Sequence, residues 1–144
     1  MIVRELRMQD VEEVSRIEEQ CFSMPWSAKD FVDLVRDEHS LYLVAEENGI
    51  LLGCAGMTDV AGEGNINNVA VLENHRGRGV AVKLLTELLS RGGEMGIQAY
   101  TLEVRVSNAP AIHVYEKLGF VSEGIRPGFY EKPVEDAVIM WKRQ

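Results

Sequence analysis

Residues Val69–Val82 constrain this chain more than any other stretch. The apolar run Val69-Ala70-Val71-Leu72 enters a polar loop, Glu73–Gly79, that carries two glycines. A helical stripe leaves that loop, with Val80, Leu84, Leu85, Leu88 and Leu89 on one side. Strand, loop and helix in that order make a crossover connection, so the fold mixes helices with a sheet.

The flanking segments fill in the order. Ile2–Leu6 reads as a strand, and Val11, Val14, Ile17 and Cys21 recur at helical spacing. Ser27 with Asp30 three residues on predicts a capped second helix carrying Phe31, Leu34 and Val35. Leu41–Glu47 and Ile50–Thr58 flank Asn48-Gly49, a two-residue hairpin signal. Gly62 and Gly64 mark the next turn before the strand Ile66–Leu72, and Gly92, Gly93 and Gly96 are expected to weaken and end the third helix. Ala99–Val106 reads as a strand. Asn108 and Pro110 open a short helix lined by Ile112, Tyr115 and Leu118 that stops at Gly119. Phe120–Ile125 and Ala137–Trp141 complete the order β-α-α-β-β-β-α-β-α-β-β. This is an α+β, or mixed α/β, class.

The 144 residues suit one domain, 1–144. With 15 Lys+Arg against 23 Asp+Glu the net charge is −8, which disfavours nucleic acid and suits a basic partner. No stretch approaches the length of an apolar membrane span, and Arg4, Glu5 and Arg7 interrupt any leader pattern at the start. Two cysteines, Cys21 and Cys54, cannot staple a domain of this size and suggest a reducing, cytoplasmic setting. His39, His75 and His113 are far apart and no CxxC occurs, so no metal site is expected.

Glycines 77 and 79 before a helix N-terminus make a place where backbone N–H groups can meet a phosphate. Arg76, Arg78 and His75 add positive charge there. The same residues also fit a plain surface turn. A Walker loop is absent. A dinucleotide fingerprint lacks its third glycine, and only 41 residues follow Glu103, too few for a second mononucleotide half.

Arg76-Gly77-Arg78-Gly79-Val80-Ala81 resembles the pyrophosphate loop of the GNAT superfamily of acetyl-CoA-dependent N-acetyltransferases. Asn108-Ala109-Pro110-Ala111-Ile112-His113-Val114-Tyr115, continuing to Gly119-Phe120, is similar to that superfamily's Asn-x-x-Ala-x-x-x-Tyr-x-x-x-Gly-Phe segment. Phe22–Ser27, Leu102–Arg105, Arg126 with Tyr130, and Glu135–Met140 together resemble the ribosomal-protein-alanine N-acetyltransferases. Phe129 departs from that family, which often has a second Tyr there.

The resemblance implies a single domain with a central mixed, mostly antiparallel sheet flanked by about four helices. It implies acetyl transfer, in a ternary complex, from acetyl-CoA to the N-terminal alanine of the eighteenth small-subunit ribosomal protein. Alternatives are a related enzyme for another N-terminus or a small amine, and a CoA-binding regulatory domain without turnover. The implied cofactor-binding residues are Val69, Ala70, Val71, Arg76, Gly77, Arg78, Gly79, Val80, Ala81, Val82 and Asn108. Glu103 is the implied general base, though by residue type alone it also fits a solvated carboxylate paired with an arginine. Tyr115 is the implied proton donor to the CoA thiolate, and by spacing alone also fits a core aromatic. Trp26 and Tyr130 are the implied substrate-binding residues, Trp26 fitting plain packing equally well.

Overall fold

The computed structural model describes residues 1–143. Its elements are β1 (Ile2–Glu5), α1 (Val11–Cys21), α2 (Ala28–Arg36), β2 (Ser40–Glu47), β3 (Ile50–Val60), β4 (Glu63–Val71), α3 (Val80–Glu94), β5 (Ala99–Arg105), α4 (Ala109–Lys117), β6 (Val121–Glu131) and β7 (Val134–Arg143). The order matches the expectation; single 3-10 turns at Met8–Asp10 and Glu73–His75 are added. The strands form one seven-stranded sheet, β1-β2-β3-β4-β5-β7-β6. The β4–β5 pair is parallel and the other neighbouring pairs are antiparallel.

Local chemistry accounts for the elements. The Ser27 hydroxyl accepts from the Asp30 N–H at 3.2 Å, and the Asp30 carboxylate accepts from the Ser27 N–H at 2.8 Å, closing the capping box of α2. Asn48 and Gly49 take φ of 54° and 80°, the left-handed pair that a tight hairpin between β2 and β3 requires. The Asn108 side chain accepts from the Ala111 N–H at 3.3 Å and caps α4.

Both faces of the sheet are covered, so β2 is apolar and buried without a break from Leu41 to Ala45. Leu41, Leu43 and Ala45 of β2 face a core built with Leu84, Leu85 and Leu88 of α3 and Tyr115 of α4. Tyr42 and Val44 face the opposite core, with Val14 and Ile17 of α1 and Phe31 of α2.

Several boundaries differ from the sequence reading. Gly64 lies inside β4, and the turn belongs to Ala61 and Gly62, at φ 52° and 87°. Gly92 and Gly93 lie inside α3; Gly96, at φ 87°, follows its end. The physical reason is Tyr100. A Cβ on Gly92 would lie 2.4 Å from the Tyr100 hydroxyl oxygen, and one on Gly64 would lie 2.9 Å from its ring. That hydroxyl donates to the Leu89 carbonyl at 2.9 Å. Two glycines that read as punctuation are therefore the space one ring occupies. Strands β6 and β7 are longer than expected because they pair with each other well beyond the apolar core.

This packing generates a paired prediction. Gly92→Ala should destabilise the fold by about 1–3 kcal/mol through overpacking against Tyr100. A Cβ on neighbouring Gly93 meets nothing within 4 Å, so Gly93→Ala should stabilise by about 0.5–1 kcal/mol through helix propensity. Thermal melts of the two variants, moving in opposite directions from wild type, check this.

Candidate active site

The sheet parts between β4 and β5. Their parallel pairing covers Glu63–Ala99 to Asn65–Thr101. Beyond it β4 continues against β3 as far as Val71–Gly53, and β5 against β7 as far as Arg105–Ala137. Residues 66–71 thus have no β5 partner on that side. The cause is a bulge. The β3–β4 register shifts between Cys54 and Gly56, and Asn68 adopts φ 53°. One extra residue bends β4 away from β5, and asparagine tolerates the left-handed conformation better than most side chains.

The backbone at the mouth of this wedge is oriented by the ladder itself. The Leu72 N–H donates to the Leu52 carbonyl at 2.9 Å. Alternation along an antiparallel strand then turns the N–H and C=O of Val71 away from β3 and into the wedge. The Val71 carbonyl accepts from Arg76 Nε at 2.9 Å and faces the Cys21 thiol at 3.6 Å, while its N–H faces the wedge. The Val69 carbonyl shares that orientation by the same alternation, and Ala70 faces β3.

Past β4, Gly77 and Gly79 take φ of 79° and 78°, and Gly79 is the N-cap of α3. A Cβ on either would meet nothing within 4 Å, so glycine is needed here for its backbone and not for space inside the protein. The early N–H groups of Val80, Ala81 and Val82 belong to the unpaired first turn of α3. The two arginines are engaged within the chain. Arg76 tethers the loop to Val71, and its Nη2 lies 3.7 Å from the Cys21 sulfur. Arg78 meets His75 Nδ1 at 2.8 Å and donates to Glu47 at 3.0 Å, and this guanidinium holds the Glu47 carboxyl below its ordinary range. The loop's capacity for an anion therefore rests first on its backbone N–H groups and the helix dipole.

Strand β5 carries Leu102 and Val104 into the α3-side core with Tyr115, and alternation puts Glu103 on the opposite face. Glu103 and Tyr115 thus lie on opposite faces of the sheet. The Glu103 carboxylate is 29% exposed and lies 3.5 Å from Arg126 of β6. The arginine partner weighed from residue type is present, on the same carboxylate that the resemblance marks as a base. Tyr115 is 7% exposed and packs on Phe120, ring centroids 5.9 Å apart, so it is a core aromatic as well. Burial pushes its phenol well above the ordinary value, with the nearby Tyr130 adding to the shift. The group therefore carries its proton at neutral pH. Tyr130 lies under the Arg105 guanidinium, 4.3 Å from the ring centroid, and burial and Glu103 both raise it. Trp26 packs on Phe31, ring centroids 5.7 Å apart, against the α1–α2 core. Asn108 stands between β5 and α4 with its side-chain oxygen committed to the helix cap.

Two residues of the site escaped the sequence reading. Glu18 is 1% exposed, its carboxylate accepting from Asn68 Nδ2 at 2.7 Å and from the Trp26 N–H at 3.3 Å. Its position, i+4 from Val14 on the buried face of α1, is the signal that could have found it. Asn68 itself follows Asn67 and directly precedes the apolar run Val69–Leu72. Cys54 is sealed in the core, where burial raises its thiol to about 12. Among the described residues no three His, Cys, Asp or Glu side chains gather as a metal site would require, and no helix is long and apolar enough to cross a membrane.

Comparison with known proteins agrees with this geometry. The sequence model of the acetyltransferase (GNAT) family matches residues 11–120. A Haemophilus influenzae ribosomal protein bS18-alanine N-acetyltransferase is 35% identical over 144 residues, covering 96% of each chain. The crystal structure of the ribosomal-protein-S18-alanine N-acetyltransferase from Escherichia coli superposes with a TM-score of 0.89 at 32% identity, over 99% of this chain and 92% of that one. The structure of Ard1 from Thermoplasma volcanium gives 0.90 at 30% identity, over 99% and 96%. GNAT acetyltransferases use acetyl-CoA. A sheet parted at a β4 bulge, a glycine-hinged loop at its mouth and a family match across the middle of the chain lead to one conclusion: this protein belongs to the acetyltransferase (GNAT) family.

Proposed function

We propose that this chain transfers an acetyl group from acetyl-CoA to the α-amine of the N-terminal alanine of ribosomal protein bS18, the substrate named for its bacterial relatives. The observation that carries the reading is the parting of β4 from β5, with Glu103 on one face of the sheet and Tyr115 on the other. Acetyl-CoA supplies the activated acyl group. The rest falls to this chain's own residues.

The Val69 and Val71 backbone would pair with amides of the pantetheine arm as a missing strand would. The N–H groups of the loop Arg76–Val82 would hold the pyrophosphate, with Gly77 and Gly79 letting the backbone come close. The Val71 N–H would donate to the thioester oxygen, a contact whose loss typically costs about 10²–10³ in rate. Asn108, at the start of α4, would meet the acetyl-CoA chain through the part of its side chain that the cap leaves free.

Only a neutral amine can attack. Glu103 takes one proton from the incoming nitrogen, directly or through a water. Tyr115 gives one proton to the departing sulfur, so the chain ends the cycle needing only to return that proton. The Arg126–Glu103 ion pair is exposed enough to be exchanged for the acceptor's ammonium as it enters. Trp26 and Tyr130 would border the peptide, and a net charge of −8 suits a basic ribosomal tail. These requirements favour a cytoplasmic enzyme working on newly made protein.

Glu103→Gln should keep the fold and acetyl-CoA binding while lowering kcat/KM at neutral pH by about 10²–10⁴-fold. A peptide α-amine titrates near ~7.7–8.0, so raising the pH supplies neutral nucleophile and should shrink the deficit near pH 9. A deficit constant with pH, together with a lowered Tm, would assign Glu103 to the Arg126 ion pair alone. Gly79→Val should leave a folded protein, at a backbone cost of about 1–2 kcal/mol, that no longer binds acetyl-CoA by calorimetry. An alanine-initiated basic peptide should be acetylated at its α-amine, and blocking that amine should stop the reaction with lysines still present. Mass spectrometry showing faster modification of lysine side chains or polyamines would select the other enzyme reading.

A further inference from the structure

The residue that most needs an explanation lies outside the groups assigned above. Glu18 is a carboxylate at 1% exposure inside the α1–α2 side of the sheet. Burying a carboxylate is costly unless donors meet it, and burial does push this one above its ordinary value. A leucine would have served the core better. What the carboxylate touches shows what it is for. A single oxygen, Oε1, accepts from the side-chain amide of Asn68 at 2.7 Å and from the backbone N–H of Trp26 at 3.3 Å. Asn68 is the left-handed residue at the β4 bulge. Trp26 belongs to the loop between α1 and α2.

The other contacts of Asn68 point the same way. Its carbonyl faces the Tyr42 hydroxyl at 3.4 Å and the Cys54 thiol at 3.7 Å. Backbone and side chain of the bulge residue are thus held from β2, β3 and α1 together. The contact from α1 has the shortest distance of the three. Without it, β4 could relax by one residue toward regular pairing, which would flip the orientation of the groups beyond the bulge. Val71 would then turn its N–H out of the wedge.

We infer that Glu18 is a positioning residue for acetyl transfer: through Oε1 it locks the Asn68 bulge that aims the Val69–Val71 backbone and, with the same atom, ties the Trp26 loop of the acceptor side to that strand. Donor and acceptor halves of the site are registered on one buried atom. The inference rests on the proposed function for what is being positioned. The link itself is independent of that reading.

The test uses the full chain with Glu18→Gln, Glu18→Leu and Asn68→Gly. Glutamine keeps a carbonyl oxygen for both donors, and its amide N–H can serve the Asn68 side-chain oxygen, which is buried without a partner among the described residues. Glu18→Gln should therefore retain near wild-type kcat. Leucine fills the space and accepts nothing. Glu18→Leu should lose on the order of 10- to 100-fold in kcat at saturating acetyl-CoA and peptide, with KM for either changing far less, as expected when reacting groups are misplaced.

Backbone amide resonances give a readout that needs no turnover. Those of Trp26, Val69 and Val71 should move in Glu18→Leu and stay in Glu18→Gln. If the wild-type chain acetylates no peptide, the proposed function fails, and the resonances still decide the role of Glu18. Asn68→Gly severs the same link while keeping the left-handed backbone, and covers the case in which Glu18→Leu does not fold. It should lower kcat and shift the same amides. Three results would each overturn the inference: wild-type kcat in a folded Glu18→Leu or Asn68→Gly, unmoved β4 amides in Glu18→Leu, or equal damage from Gln and Leu.

Discussion

Everything in this site depends on two strands of one sheet being kept apart. An interior strand normally satisfies its backbone on both sides, and leaving several groups unpaired beside a packed core costs free energy for each. Here β4 and β5 begin as a parallel pair and separate after three residue pairs, although both continue inside the same sheet. Something has to prevent them from closing. The inserted residue at Asn68 bends β4, and contacts from α1, β2 and β3 hold the bend. Arg76 then satisfies the Val71 carbonyl at the mouth, leaving the N–H beside it to face the wedge.

The parting also divides the chemistry. Because side chains alternate along β5, the strand that places Leu102 and Val104 against α3 must place Glu103 on the other face. Tyr115 rises from the α3 side, buried and holding its proton. Glu103 lies on the partly exposed side, next to Arg126 and the β6–β7 hairpin. A partly exposed carboxylate on one face and a buried, protonated phenol on the other suit the proposed reaction, in which one amine enters and one thiolate leaves. Burial of the phenol and exposure of the carboxylate both follow from which face of the pleated sheet each residue occupies or packs against.

Much of the architecture was legible because it is local. Ser27 with Asp30, Asn48-Gly49, and Asn108 with Pro110 specify caps and a hairpin through contacts spanning at most three residues, and each formed as read. Glu103 and Tyr115 were legible only through the motifs around them; strand and helix spacing alone fits an ion-paired carboxylate and a core aromatic, and both of those descriptions are also true of them. Gly64 and Gly92 were misread as turn signals because their partner, the Tyr100 ring, is remote in sequence from Gly64 and on a different element from Gly92. Arg76 and Arg78 looked like open positive charge. Their carbonyl and carboxylate partners, Val71 and Glu47, come together only when the loop folds over the sheet.

By itself, then, the sequence determined the elements, their order, the glycine-hinged loop and the strand alternation that separates Glu103 from Leu102 and Val104, since all of these follow from spacing along the backbone. It also determined the family, through motifs that are contiguous in the chain. The tertiary structure alone decided the extra residue in β4, the direction of the Val71 N–H, the partners of the two loop arginines and the burial of Glu18. Register between strands depends on what each side chain meets across the sheet, and a carboxylate 50 residues from the asparagine it holds leaves no periodic trace.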